Sequence, residues 1–294
     1  MCLLIALFQV VADAPLIVAA NRDERYARPA VTMTTLRSDR PRILGGRDEL
    51  AGGTWLAVNE HGLIAGLTNQ PSPAGQDVTK RSRGEIPLAF AAYRSAAEAV
   101  TAVCAELNPA DYNPCWLLVG DRDSLFSIGL AGGSRPEVEE LAPGLHVLEN
   151  APLRARSAKT AQVARMVAEE RAARVSGPGT GDPRAGESAA MVADALAVVL
   201  SDHRPATAQP GSPPPPPSSG VGSGSAGDGA GQGGLARSPA ISAACVHTPE
   251  YGTRSALIVT VAATGPPPLR VADGSPCVVP FRDATGLWAG PAVA

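Results

Sequence analysis

The sequence predicts a layered α+β fold with helices packed on mainly antiparallel sheets. Three pairs of apolar, β-branched runs are joined by turn signals, three stretches carry helical character, and a strongly strand-like run follows the last two of them. The first pair is Leu3 to Val11 and Leu16 to Ala20, joined by Ala12-Asp13-Ala14-Pro15, and it brings Cys2 and the cluster Asn21-Arg22-Asp23-Glu24 to one end of two paired strands. In an extended strand Asn21 and Asp23 share one face, and Arg22 and Glu24 share the other.

The second hairpin turns at Asn59-Glu60-His61-Gly62, between the runs Ala51–Asn59 and His61–Asn69. A helical region is expected from about Arg81 to Leu107, with Ser95 and Glu98 as a capping box for its second half. The third hairpin sets Cys115–Val119 against Ser124–Ile128, and a further strand runs from Leu145 to Leu148 before Glu149-Asn150. Helices are expected at Arg154–Val175 and Ser188–Leu200, and a strand at Ser255–Val261. Residues 205–239, with a five-proline run and Gly/Ser repeats, contain too few apolar groups to offset the entropy of ordering. They are expected to form a disordered insertion within one domain spanning 1–294.

Composition excludes several classes. A net charge of -3 gives no reason for a nucleic-acid surface, and no run is long and apolar enough to span a bilayer, so a soluble protein is expected. The N-terminal apolar run lacks a preceding basic segment and is interrupted by Gln9 and Asp13, so it reads as a strand and not a secretory signal. Five scattered cysteines (Cys2, Cys104, Cys115, Cys245, Cys277) show no disulfide framework and suit a reducing cytoplasm. The four histidines (His61, His146, His203, His247) are equally dispersed, so no metal site is expected.

The chemistry of the first hairpin has two readings. If Met1 is removed, Cys2 carries a thiol and a free α-amine on one carbon. With ordinary values of about 8.5 and about 7.7 to 8, the amine can take the thiol's proton. The other reading makes Cys2 a small hydrophobe in a buried strand and the charged cluster a solvated loop.

Several motifs together bear on the choice. Met1-Cys2, Ala20-Asn21-Arg22-Asp23-Glu24, Gly53-Thr54-Trp55-Leu56, Leu67-Thr68-Asn69, Ser82-Arg83-Gly84-Glu85 and Tyr251-Gly252-Thr253-Arg254 occur in the order seen in the NRDE family, which this chain resembles. That family is also called the transport and Golgi organisation protein 2 family. The resemblance implies a four-layer αββα sandwich like that of the N-terminal-nucleophile hydrolases, in their cholylglycine and penicillin V amidase branch. It implies Cys2 as nucleophile, Asp23 as the carboxylate holding its amine, Asn69 as oxyanion donor, and Asn150 and Arg254 near the nucleophile. It further implies that Asn21, Arg22, Thr54, Trp55 and Arg83 border the substrate, a small amide or acylated metabolite.

Those amidases carry arginine directly before the matching asparagine, where this chain has Ala20; Arg22, on the far side of Asn21, is expected to point the other way. The hydrolase reading needs no cofactor. The resemblance also implies an alternative role, a carrier of haem or of lipid or acyl-CoA cargo.

Overall fold

The computed structural model describes residues 2–72, 75–131, 133–155, 157–175, 187–206 and 239–290. Nearly all of the expected 205–239 insertion lies outside the described residues.

Strands β1 (Cys2–Val11) and β2 (Ala14–Arg25) form the first hairpin. They are followed by β3 (Ala30–Arg37), β4 (Ile43–Asp48), β5 (Leu56–Asn59) and β6 (Ile64–Asn69). The helical region expected from about Arg81 to Leu107 holds two helices, α1 (Ile86–Ala91) and α2 (Ala96–Glu106), the second starting at the expected cap. Between them the Asn59 side-chain amide, from another part of the chain, donates to the carbonyls of Ala91 (2.9 Å) and Tyr93 (2.7 Å), satisfying groups left open at the end of α1. Ser95 then caps α2 by accepting the Glu98 N–H at 3.3 Å. Strands β7 (Cys115–Gly120), β8 (Leu125–Leu130), β9 (Glu137–Glu140) and β10 (Gly144–Leu148) come next, then α3 (Ala158–Val175) and α4 (Ala189–Ser201). The chain closes with β11 (Tyr251–Val261), β12 (Leu269–Ala272) and β13 (Arg282–Asp283).

These strands make two sheets, ordered β10-β1-β2-β11-β12-β13 and β3-β4-β5-β6-β7-β8-β9, with every paired neighbour antiparallel. The period of two along β1 explains how they stack. Leu4, Ala6 and Phe8 join a core between the sheets, together with Leu44, Leu56, Trp116 and Leu118 from the second sheet. Leu3, Ile5 and Leu7 face the opposite way, onto Val163, Val167, Val192 and Leu196 of α3 and α4. A third core packs α1 and α2, through Phe90, Ala99 and Val103, on the outer face of the second sheet. The layer order is therefore helix, sheet, sheet, helix. Both hairpin strands are buried on two sides, and each large apolar side chain so buried contributes about 1.5–3 kcal/mol. No helix among the described residues is long and apolar enough to cross a membrane.

Candidate functional site

Cys2 is in phase with Leu4 and Ala6, so it belongs to the face between the sheets, and register sets it directly opposite Arg22. Val18 and Ala20 lie on that same face of β2, whereas Ile17 and Ala19 face the helices. Positions 20 and 22 are two apart and share a face. The expectation that Arg22 points away from the side occupied by Ala20 is therefore corrected, because strand period fixes the pair together. A cation does stand beside Cys2, supplied one step further along the strand.

Arg22 is 5% exposed; its guanidinium carbon lies 4.3 Å from the centre of the Trp55 ring, and its Nη2 is 3.6 Å from Asp48 and 3.8 Å from Glu24. The indole has room because of Gly46: a Cβ there would sit 1.9 Å from Trp55 Cζ2. Arg22, Trp55, Ala20, Ser255, Ala256 and Leu257 border a small recess between the sheets.

Arg83 reaches the same region through a contact between two glycines. A Cβ on Gly53 would lie 2.5 Å from the Gly84 carbonyl carbon, and the Thr54 N–H donates to Gly84 O at 2.9 Å. The two motif segments thus touch backbone to backbone. Arg83 donates to Pro114 O at 3.2 Å, and Cys115 and Cys2 are the neighbours whose negative charge it would feel most.

The loop that presents Gly53 is organised by Asp48. Its carboxylate accepts from Arg28 Nε (2.7 Å) and from the N–H groups of Leu50 (3.0 Å) and Ala51 (2.9 Å). Burial works to raise the Asp48 carboxyl, but these donors outweigh it and hold the group below its ordinary value. A folded value below the unfolded one, about 3.9, means that the stability from Asp48 is complete above that pH and lost as pH falls through the lower folded value. Asp48→Asn is therefore expected to lower stability at neutral pH and flatten the acid limb of the stability profile, measured by urea unfolding between neutral and strongly acidic pH. An unchanged acid limb would contradict this assignment.

On its other face β2 presents Asn21 and Asp23. The Asn21 amide donates to Leu200 O (2.9 Å) and Ala244 O (2.8 Å), so it ties β2 to the helical layer. Its expected place beside substrate is corrected, since it is 1% exposed and directed away from the space between the sheets. Thr54 is corrected likewise: it is buried and closes its own turn, donating to Leu56 O at 2.7 Å and accepting the Leu56 N–H at 3.2 Å.

Asp23 is buried, accepts a 2.6 Å hydrogen bond from the Thr253 hydroxyl and pairs with Lys159 Nζ at 3.8 Å; its backbone carbonyl accepts the Tyr251 hydroxyl at 2.8 Å. Burial pushes the Asp23 carboxyl up, against the pull of Lys159, the chain-terminal ammonium and the Thr253 hydroxyl. The half-buried Cys2 thiol is also pushed up by burial. The terminal ammonium, Arg22 and a hydrogen bond from the Asp23 backbone N–H act in the opposite direction.

Lys159 is the residue that sequence reasoning missed. It starts α3, is 5% exposed, and also donates to Ile241 O at 3.4 Å. Its signal was present, because only Lys80 and Lys159 are lysines in an arginine-rich chain.

Arg254 departs from its expected place at the nucleophile. It sits at a register shift in β11, between Thr253 and Ser255, and donates to the carbonyls of Arg25 (3.0 Å), Tyr26 (2.7 Å) and Arg28 (3.0 Å). It shapes the segment after β2 that delivers Arg28 to Asp48, while Thr253 and Lys159 are the groups that meet Asp23.

Asn69 ends β6 at the Cys2 end of the sandwich. A Cβ on Gly66 would lie 3.1 Å from Leu4, whereas Gly62 abuts Val261, which pairs with Leu16, itself paired with Phe8 at the far end of the hairpin. Asn150 donates through its amide to Asn69 O, and the neighbouring Thr68 hydroxyl donates to Glu149 O at 2.7 Å. The structure thus joins Asn69 and Asn150 to each other across the two sheets.

The histidines and cysteines that are dispersed in the sequence are not all dispersed in the fold. Folding gathers Cys245, His247 and Cys277 so that their ligand atoms lie within 4.8 Å of one another.

The fold and this end of the cleft define a class: αββα sandwiches with a second-position cysteine at the mouth of the space between the sheets. Residues 1–267 match the family described as Transport and Golgi organisation 2. The Transport and Golgi organization protein 2 homolog of Bos taurus is 31% identical over 264 residues, covering 85% of this chain and 83% of that protein. The Mus musculus homolog is 41% identical over 78 residues, 26% of this chain and 28% of its own length. The chain belongs to the transport and Golgi organisation 2 family. Among solved structures, a penicillin V acylase from Agrobacterium tumefaciens aligns with a TM-score of 0.42 at 12% identity, over 97% of this chain and 98% of that one. A Caenorhabditis elegans ortholog of N-acylethanolamine-hydrolyzing acid amidase gives 0.43 at 13%, over 66% and 85%. A conjugated bile acid hydrolase mutant from Clostridium perfringens gives 0.36 at 15%, and the alignment spans 56% of this chain and 57% of that one.

Proposed function

We propose that this chain is a cysteine N-terminal-nucleophile amidohydrolase acting on a small amide or acylated metabolite. The observation that carries the reading is the register that sets Cys2 directly opposite Arg22 on the face between the sheets. With Cys2 as the first residue of the mature chain, its α-amine takes the thiol proton and the sulfur attacks the amide carbon. The C–N bond then breaks, the departing amine leaves with that proton, and water hydrolyses the acyl thioester with the α-amine as base. Asn69, at the same end of the cleft, is assigned the developing oxyanion, and Asp23 the ammonium.

The test combines intact mass with limiting thiol labelling. The reading expects a mature chain beginning at Cys2 and labelling at Cys2 ahead of the other thiols. On any amide found to be hydrolysed, Cys2→Ala should lower kcat/KM by about 10³-fold or more. Retained Met1, or labelling no faster at Cys2, would overturn the proposal. Saturable haem or acyl-CoA binding that survives Cys2→Ala would replace it with the carrier reading.

A further inference from the structure

Behind Asp23, away from the cleft, two segments converge on a cluster that the hydrolase chemistry does not use. Cys245 precedes β11, His247 lies two residues on, and Cys277 comes from the turn after β12. Cys245 Sγ is 3.7 Å from Cys277 Sγ and 3.4 Å from His247 Nε2, and His247 Nε2 is 3.1 Å from Cys277 Sγ. Tetrahedral zinc with Zn–S of about 2.3 Å and Zn–N of about 2.0–2.1 Å has S···S edges of about 3.8 Å and S···N edges of about 3.6 Å. The three side chains therefore already stand near the corners of one such coordination face. A second imidazole, His203, has its ring centre 6.1 Å from that of His247.

We infer that Cys245, His247 and Cys277 bind a zinc-type divalent cation through two thiolates and one imidazole nitrogen, leaving a fourth position to solvent. Binding releases the two thiol protons, and the soft sulfur donors favour zinc over magnesium or calcium. The cation would pin these segments where they support the candidate site. The Val246 N–H donates at 2.8 Å to the Thr253 hydroxyl, which in turn donates to Asp23. Ser275 donates to Thr253 O at 2.7 Å, and the Cys245 N–H to Asp202 O at 2.8 Å. The site would thus position Asp23 through Thr253, without touching substrate.

The experiment uses the full chain, kept reduced, stripped with a chelator and titrated with Co²⁺ and then Zn²⁺. One equivalent of Co²⁺ should bind with thiolate charge-transfer absorption and the intense visible bands of a tetrahedral ion, and Zn²⁺ should displace it. Cys277→Ser, at a half-buried position, should abolish these bands, while Cys104→Ser should leave them intact. Should Cys277→Ser fold poorly, the wild-type chain supplies an independent readout: Zn²⁺ should slow alkylation of Cys245 and Cys277 and leave Cys104 unchanged. No charge-transfer band in the wild type, a band retained in Cys277→Ser, or a Cys245–Cys277 disulfide persisting under reduction would each overturn the inference.

Discussion

Asp23→Ala is expected to cost about 3–5 kcal/mol of stability, because it leaves the Lys159 ammonium buried without its carboxylate partner. Both groups are almost fully buried, and their separation of 3.8 Å places the pair at the junction of β2 and α3. Lys159→Met is expected to cost a similar amount, since it strands the carboxylate instead. The double variant Asp23→Ala with Lys159→Met removes both charges and is expected to recover a large part of the loss, as buried pairs replaced by apolar groups commonly do. Urea unfolding of the four proteins at neutral pH makes the comparison. If the two single losses simply add in the double variant, the pair is not coupled and this account of Asp23 is wrong.

The second large effect concerns Gly53. Its added Cβ would meet the Gly84 backbone at 2.5 Å, where there is no flexible side chain to move aside. Gly53→Ala is expected to destabilise by about 1–3 kcal/mol, the usual range for overpacking, and to displace the segment that carries Arg83. Slower thiol labelling at Cys2 should accompany the loss. Gly84→Ala should act on the same contact, from the other side, so the two substitutions should be less than additive. Gly286→Ala is the control, since a Cβ there meets nothing within 4 Å. Equal melting temperatures for Gly53→Ala and Gly286→Ala would show that the glycine contact does not hold the two segments together.

Both predictions rest on residues whose partners lie far away in sequence, which marks the boundary of what could be read in advance. The three hairpins, the capping box at Ser95 and the helices near 158–175 and 189–201 were legible because period, turn chemistry and caps are local. Strands β3, β4, β9, β12 and β13 were not recognised; the reason is clearest for β3 and β9. Those two are edge strands with half-exposed or exposed side chains, so neither displays a strongly apolar run. The end of α1 was not legible, because its open carbonyls are met by Asn59, 32 residues from the first of them.

At the candidate site, sequence alone determined that Cys2 and the Asn21–Glu24 cluster share one end of a hairpin, and that Asn21 and Asp23 lie on one strand face with Arg22 on the other. These follow from alternation along a single pair of strands. Tertiary structure decided which face meets the cleft and which meets the helices, because that depends on the layer stacked on each side of the sheet. It gave Arg22 to Cys2 and Trp55, Asn21 to the carbonyls of the helical layer, and Asp23 to Thr253 and Lys159. It also gathered Cys245, His247 and Cys277, since the return of β12 alongside β11 brings residues 30 positions apart within bonding range of one cation.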